Sequence, residues 1–100
     1  MKIIALEKEI PGRTSEDFEP FLKEEAHHVW QLYNSEVVRE IYFRTDGNNA
    51  VLIMECQSLL EAKEIIEEFP LVKNNLIEFE LIPLKPYDGF ERLFGELYKH

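Results

Sequence analysis

The chain has 100 residues, of which 45% are hydrophobic, and a formal net charge of −9 at neutral pH. This is the length of a single domain, and the composition excludes a disordered or collagen-like chain. The few basic residues are scattered, which argues against a nucleic-acid partner. The longest apolar runs, such as Ala50–Met54, are too short to cross a bilayer. We therefore expect one globular domain with neither a nucleic-acid nor a membrane partner.

Neither the start of the chain nor its cysteine content indicates export. The N-terminal apolar run is interrupted by Glu7 and is followed by no small-residue cleavage site, so it is interpreted as a strand. Cys56 is the only cysteine, so the chain forms no internal disulfide, which fits a reducing compartment. These features predict a cytoplasmic protein.

The first half of the chain predicts a strand, a helix and a second strand. β-branched and aliphatic residues fill Met1–Lys8, and a Pro-Gly turn closes this strand. Thr14 or Ser15 begins a helix that should end near Asn34. One face of this helix carries the apolar residues Phe18, Leu22, Val29 and Tyr33 at helical spacing. Glu36–Arg44 follows as the second strand.

The second half predicts a hairpin, a second helix and a last strand. Asp46–Asn49 consists of residues that tolerate positive φ, and it leads into a third strand, Ala50–Cys56. Ser58 and Glu61 form a capping box for the second helix, and Leu76–Leu84 alternates as the fourth strand. The order β-α-β-β-α-β predicts a ferredoxin-like α+β fold with a four-stranded antiparallel sheet.

A C-terminal arm follows the core fold. We expect the ferredoxin-like domain to occupy residues 1–86 and a helical arm to occupy residues 87–100. The arm carries Phe90, Leu93, Phe94 and Leu97 on one side of a short amphipathic helix. This apolar stripe requires a surface to pack against.

Both faces of the predicted sheet carry apolar side chains. Along the third strand, Val51 and Ile53 lie on one face, and Leu52 and Met54 lie on the other. Helices cover only one face of such a sheet, so a second chain would cover the open face. We therefore predict a homodimer or larger homo-oligomer. The alternative is a monomer whose own C-terminal helix folds back over the open face.

A characteristic pattern runs through the second half of the chain. The stretch Val51–Ser58 leads into a capped helix that exits through Phe69–Val72, and the strand Ile77–Leu84 follows. This pattern resembles the dimeric α+β barrel proteins, and within them the muconolactone isomerase-like group. The resemblance implies a dimer with a substrate site between the sheet and its helices. It also implies cofactor-free proton transfer, an isomerisation, on a small carbonyl or lactone substrate.

Three residues are candidates for such a site. By resemblance to the isomerase group, Glu55 corresponds to a carboxylate and Arg44 to an arginine. Glu55 has apolar strand neighbours, which favour a raised pKa and proton transfer next to a carbonyl. His28, at the edge of the apolar face of the first helix, could enter a pocket between helix and sheet. We assign Glu55 and His28 to proton transfer and Arg44 to holding an anionic oxygen.

Each of these assignments has a structural alternative. Glu55 could form an ion pair with Arg39 or Arg44 on the adjacent strand, and His28 could be a neutral, partly buried structural residue. Glu55 and His28 share a site only if Glu55 lies on the helix-covered face; otherwise Glu55 belongs to the dimer interface. Metal-ligand spacings and a glycine-rich phosphate loop are absent, so we expect neither a metal nor an organic cofactor. The alternative function is a non-catalytic small-ligand-binding or assembly module.

Overall fold

The computed structural model describes residues 1–98, which form one sheet and five α-helices. The strands are β1 (Lys2–Glu9), β2 (Val38–Phe43), β3 (Ala50–Glu55) and β4 (Ile77–Pro83). The helices are α1 (Ser15–Phe18), α2 (Leu22–Asn34), α3 (Leu59–Glu67), α4 (Pro70–Lys73) and α5 (Glu91–Tyr98). The sheet has the strand order β2-β3-β1-β4, and every pairing is antiparallel. The predicted ferredoxin-like α+β fold is confirmed.

Strand pairing determines which side chains share a face of the sheet. In β1, Ile3 lies opposite Met54, and Ala5 lies opposite Leu52. Directly opposite residues of an antiparallel pair point to the same side. All four are buried in one core together with residues of α3, and apolar residues of α2 pack against that core. We call this side the helix face.

The other side of the sheet, the open face, is apolar at its centre and charged at its ends. The apolar side chains on it, all only partly buried, are Ile4, Leu6, Val51, Ile53 and Ile82. Lys2 and Glu55 lie opposite each other at one end of this face, and Lys8 and Glu78 at the other. The expected two-sided apolar sheet is therefore present.

The first predicted helix is interrupted near its start. Thr14 and Asp17 form the predicted capping box of α1, with the Thr14 amide donating to Asp17 Oδ2 over 2.8 Å. Pro20 lacks an amide proton, so the chain passes through a 3₁₀ turn, Glu19–Phe21, before α2 begins. The second predicted capping box is confirmed, because Ser58 Oγ accepts a hydrogen bond from the Glu61 amide over 3.1 Å.

A β-bulge lies near the start of β2. Val38 pairs with Met54 and Glu40 pairs with Ile53, so Arg39 is an extra residue without a counterpart on β3. Strict alternation would put Val38 on the same side as Tyr42. The bulge instead puts Val38 on the helix face together with Ile41, which lies opposite Leu52.

The arm after β4 carries exposed apolar side chains. Helix α5 begins at Glu91, four residues later than the predicted start of the arm helix at Tyr87. The rings of Tyr87 and Phe90 pack edge to face, and a Cβ at Gly89 would collide with the Tyr87 hydroxyl. Leu93 is largely exposed. The division of the chain at residue 86 stays a prediction, and the side chain of Leu97 and residues 99–100 lie outside the described part. None of the described helices is long and apolar enough to span a membrane.

Candidate active site

A cavity of about 1030 Å³ lies between the helix face and the segment from α1 to α2. Helix α2 directs its apolar face at the sheet, yet none of its residues is fully buried. The small side chains of Ala26 and Ala50, both at the cavity, leave room between helix and sheet. Most of the lining is apolar and includes Phe18, Val29, Leu52, Phe69 and Phe79. The cavity is of the size that binds small organic ligands, roughly 300–1,000 Å³.

Two aromatic side chains of α2 lie at the cavity and remain exposed. The rings of Trp30 and Tyr33 stack with centroids 6.5 Å apart and an angle of 27° between their planes. The exposed fraction is 58% for Trp30 and 49% for Tyr33. Covering large exposed aromatic groups with a ligand is favourable because it removes apolar surface from water. These two rings therefore suit a flat apolar molecule.

Glu7 brings a carboxylate into the cavity from the sheet. It lies on the helix face of β1, opposite Phe79, and its Oε1 accepts a hydrogen bond from the Ala50 amide over 3.3 Å. Burial raises the pKa of Glu7, and the nearby charge of Glu9 raises it further, although the hydrogen bond from Ala50 opposes the shift. Glu7 therefore binds a proton more readily than an ordinary glutamate does.

Glu25 brings a second carboxylate from α2. Its Oε1 accepts a hydrogen bond from the Leu71 amide over 3.0 Å. That amide is free to donate because it lies in the first turn of α4, where backbone N–H groups have no helical partner. Burial raises the pKa of Glu25 despite this hydrogen bond, and the charges of Glu7 and Glu24 raise it further. The charge of Glu7 thus acts on Glu25 within one cavity.

The two carboxylates are anchored through one oxygen each. Among the described residues, Oε2 of Glu7 and Oε2 of Glu25 have no hydrogen-bond partner, and neither oxygen is fully buried. Each therefore has an oxygen free to accept a hydrogen bond or a proton from a bound molecule. Partly buried acids with raised pKa in an apolar cleft are the groups that general acid–base catalysis requires.

Arg39 is the one basic residue among the described residues that line the cavity. It is the extra residue of the β2 bulge, is exposed, and donates a hydrogen bond from Nε to the backbone oxygen of Glu36. This hydrogen bond leaves the other guanidinium nitrogens available for an anionic oxygen.

The residues predicted from the sequence lie elsewhere. Glu55 is on the open face, where Oε2 lies 3.4 Å from the N-terminal nitrogen of Met1. Arg44 forms a bidentate ion pair with Asp46 in the hairpin loop. The Nε–Oδ1 distance is 2.8 Å and the Nη2–Oδ2 distance is 2.7 Å. The alternative ion pair of Glu55 with Arg39 or Arg44 is not formed.

His28 packs behind the cavity wall. Its ring meets Phe69 edge to face, with the centroids 4.8 Å apart, and its Nε2 is buried without a hydrogen-bond partner. Burial lowers the pKa of His28, which favours the neutral ring. The sheet separates His28 on the helix face from Glu55 on the open face, so these residues do not share a cavity within one chain. The catalytic roles assigned to Glu55, His28 and Arg44 stay predictions.

The sequence does carry a signal for the two cavity carboxylates. Glu7 continues the alternation of Ile3 and Ala5 along β1, so it belongs to the buried face of that strand. Glu25 lies three residues after Leu22 and four before Val29, in the middle of the apolar face of α2. Both residues are thus charged side chains within an apolar stripe, a pattern that indicates a partly buried ionisable group. No group of three or more metal-ligating side chains occurs among the described residues.

The chain was compared with known proteins by sequence and by structure. No protein-family model and no curated protein matches the sequence. Solved structures do match, and the chain has the α+β fold of muconolactone isomerase. That enzyme superposes with a TM-score of 0.73 at 11% sequence identity, over 88% of this chain and 92% of the isomerase. The resemblance seen in the sequence is confirmed at the level of the fold.

A second similar structure is a dehalogenating enzyme. It is 5-chloro-2-hydroxyhydroquinone dehydrochlorinase from Burkholderia phenoliruptrix AC1100, in complex with 2,5-dihydroxybenzoquinone. The TM-score is 0.64 at 19% identity, over 89% of this chain and 98% of the dehydrochlorinase. The same fold therefore occurs in two enzymes that are named for different reactions.

Proposed function

We propose that this protein is a small cofactor-free enzyme that moves a proton within a carbonyl or lactone substrate, with Glu7 and Glu25 as the proton-transfer groups. The observation that supports this most strongly is the pair of partly buried carboxylates in one apolar cavity. Burial raises the pKa of both Glu7 and Glu25, which makes each a stronger base than an exposed glutamate.

The proposed reaction requires one base and one acid. An ionised carboxylate removes the proton from a carbon next to the carbonyl, and the electron pair of that C–H bond moves into an enolate. The protonated carboxylate then delivers a proton to a different carbon of the conjugated system, so the double bond moves and no atoms are gained or lost. The charge of Glu7 raises the pKa of Glu25, so an ionised Glu7 favours the protonated form of Glu25.

Arg39 supplies the remaining group that this chemistry needs. It lines the same cavity, and we assign it to stabilise the oxygen of the enolate as negative charge develops there. The sequence assigned this role to Arg44, whose guanidinium is held by Asp46. The aromatic lining, including Trp30 and Phe79, suits a ring-shaped substrate. The two similar solved structures, an isomerase and a dehydrochlorinase, support small-molecule chemistry on this fold.

Hydrogen exchange at carbon tests the proposal. Purified protein is incubated in D₂O with a panel of small cyclic ketones and lactones, and proton NMR follows loss of the C–H signal next to the carbonyl. Glu7→Gln and Glu25→Gln should each slow this exchange about 100-fold or more, the usual contribution of a general acid or base. Glu64→Gln, an exposed change on α3, is the matched control.

Two results would contradict the assignment. Exchange at the wild-type rate in both cavity variants would exclude Glu7 and Glu25 as the proton-transfer groups. Loss of exchange in Glu55→Gln or His28→Gln, with the cavity variants unaffected, would instead support the residues predicted from the sequence.

The second candidate function is a non-catalytic ligand-binding module. The open cavity with its exposed Trp30 and Tyr33 would serve such a module equally well. Saturable binding of panel compounds, without any exchange of their C–H protons, would favour this alternative over the enzyme.

We also propose that the protein forms a homodimer through the open face. The partly buried apolar side chains at the centre of that face, with Ile4 and Ile53 opposite each other, are what a second copy would cover. Sheet-to-sheet packing over this area would bury roughly 600–800 Å² per chain, the scale of a stable interface.

A further inference from the structure

We propose that the natural ligand of the cavity is an organic cation, namely an aromatic or branched apolar carbonyl compound that also carries a primary amine. The inference rests on the proposed function, because it assigns a substrate class to the same cavity. It stands on the balance of charge in the lining and on the two exposed aromatic rings.

Negative charge predominates among the ionisable side chains on the helix side of the cavity. Glu7 and Glu9 alternate on the helix face of β1, opposite Phe79 and Ile77, and Glu25 faces them from α2. These three carboxylates are close enough that Glu9 acts on Glu7 and Glu7 acts on Glu25. Glu40 also borders the cavity, but its register opposite Ile53 directs it towards the open face.

Arg39 is the one cation in the described lining, and it forms no ion pair with these carboxylates. Among the described residues, neither Glu7, Glu9 nor Glu25 takes part in an ion pair. Glu7 and Glu25 are partly withdrawn from water without an ionic partner, which is unfavourable, and a cation relieves that cost. An anionic ligand would add to the repulsion. The side of the cavity that carries Glu7 and Glu25 therefore favours a positive charge.

The aromatic residues of the cavity favour an organic cation over a metal ion. A bare metal ion would require several closely spaced oxygen ligands, and no group of three or more such residues occurs in the described part of the chain. Trp30 and Tyr33 instead offer ring faces, which attract an ammonium group or the edge of an aromatic ring. Leu52, Phe69 and Phe79 line the cavity further and suit an apolar body. An amine on an apolar body satisfies both parts of the lining.

Trp30 allows a direct measurement, because it is the only tryptophan of the chain and lies at the cavity. Its fluorescence is titrated with three probes of similar shape and different charge, namely phenethylamine, phenylethanol and phenylacetate. We expect phenethylamine to bind with a Kd at least about tenfold below that of phenylethanol, the size of effect expected for one charge-assisted contact. Phenylacetate should give no saturable change over the same concentrations. Higher salt should weaken amine binding, since the carboxylates are only partly buried.

Two variants connect the result to the carboxylates. Glu25→Gln should raise the Kd of phenethylamine about tenfold and leave that of phenylethanol unchanged. Glu64→Gln removes the same charge from an exposed position on α3 and should change neither value. Circular dichroism of each variant verifies that the fold is retained, so a lost response reports on the cavity.

The outcomes distinguish this inference from the proposed function. Equal or tighter binding of phenylethanol or phenylacetate would overturn the cation assignment, while the cavity would remain a ligand site and the exchange assay would still stand. An unchanged amine Kd in Glu25→Gln would also overturn it. If none of the probes alters Trp30 fluorescence, the cation assignment fails as well.

Discussion

Glu7 on β1 and Glu25 on α2 are each held by a backbone amide of another element, Ala50 of β3 and Leu71 of α4. Four elements that are distant in sequence therefore fix the two carboxylates of one cavity. Because the anchors are backbone groups, substitution of the Ala50 or Leu71 side chain leaves the donors in place. The orientation of the acids is thus a property of the fold, which is the arrangement that a preorganised site requires.

The first prediction concerns the stability cost of these acids. A raised pKa means that the folded state binds the proton more tightly than the unfolded state. The contribution of such a group to stability is therefore greatest at low pH and falls as pH rises through the folded pKa. Glu25→Gln should therefore raise the free energy of unfolding at pH 7, by about 0.5 kcal/mol because the group is only partly buried. Urea unfolding at pH 7 and at about pH 4, where the unfolded carboxyl is largely protonated, measures this.

The control for this prediction is again Glu64→Gln, which reports the general effect of reducing the net charge of −9. The gain in Glu25→Gln should exceed that of the control at pH 7 and disappear at the lower pH. A cavity variant that is less stable than the control at pH 7 would contradict the burial argument. A variant that is more stable but inactive is the usual sign of a functional residue.

The second prediction concerns His28, whose buried Nε2 lacks a partner. Burial lowers the pKa of His28, an effect that Lys73 reinforces and Glu68 opposes. The unfolded state thus binds the proton more readily, and stability should fall as pH drops below about 6.5, the ordinary histidine pKa. His28→Leu should remove this part of the pH dependence and stabilise the protein at pH 7 by less than about 1 kcal/mol.

Thermal unfolding between pH 7 and about pH 5 follows the effect of His28, in the range where free histidine titrates. His27→Leu, at the exposed neighbouring position, serves as the control. An identical slope of stability against pH in wild type and His28→Leu would refute the assignment.

The third prediction tests the N-terminal cap of α3. Ser58 Oγ accepts the Glu61 amide, and the Glu61 carboxylate accepts the Gln57 amide over 3.2 Å. Ser58→Ala should lower the free energy of unfolding by about 1 kcal/mol, the typical loss for such a cap. Ser58→Asp keeps an acceptor at this position and should restore most of the stability. Equal losses in both variants would show that the cap contributes little.

The fourth prediction addresses the open face. Ile53→Asp places a charge at the centre of the proposed dimer interface, where Ile53 lies opposite Ile4. Light scattering at micromolar concentration should give about twice the chain mass for the wild type and the monomer mass for this variant. Leu60→Asp, on an exposed position of α3, should leave the mass unchanged. A monomeric wild type would exclude the interface.

Much of the fold can be predicted from local sequence signals. Capping boxes at Thr14 and Ser58 mark helix starts, and alternation marks the strands. The break before α2 follows from Pro20, whose missing amide proton is visible in the sequence, whereas the helical periodicity around it predicts one continuous helix. The bulge at Arg39 is harder to predict, because it depends on the pairing of β2 with β3.

The site could be predicted only in part, for a reason that Glu55 illustrates. Alternation separates Glu55 and Ile53 from Met54, but it does not determine which of the two faces the helices cover. The covered face is determined by how α2 and α3 pack, and this packing leaves Glu55 on the open face. Glu25 was not among the predicted site residues, although it carries a local signal, since it lies in the middle of an apolar helix face that packs on the sheet.

The bulge in β2 also disfavours aggregation through the edge of the sheet. β2 is an edge strand, and it carries the exposed aromatic residues Tyr42 and Phe43, so a flat edge here would be a template for strands of other molecules. The extra residue Arg39 twists the strand, and its charge lies beside that of Glu40 along the edge. This combination disfavours the addition of further strands. Growth of the sheet into a fibre is thereby disfavoured at this edge, while the open face stays available for the proposed dimer.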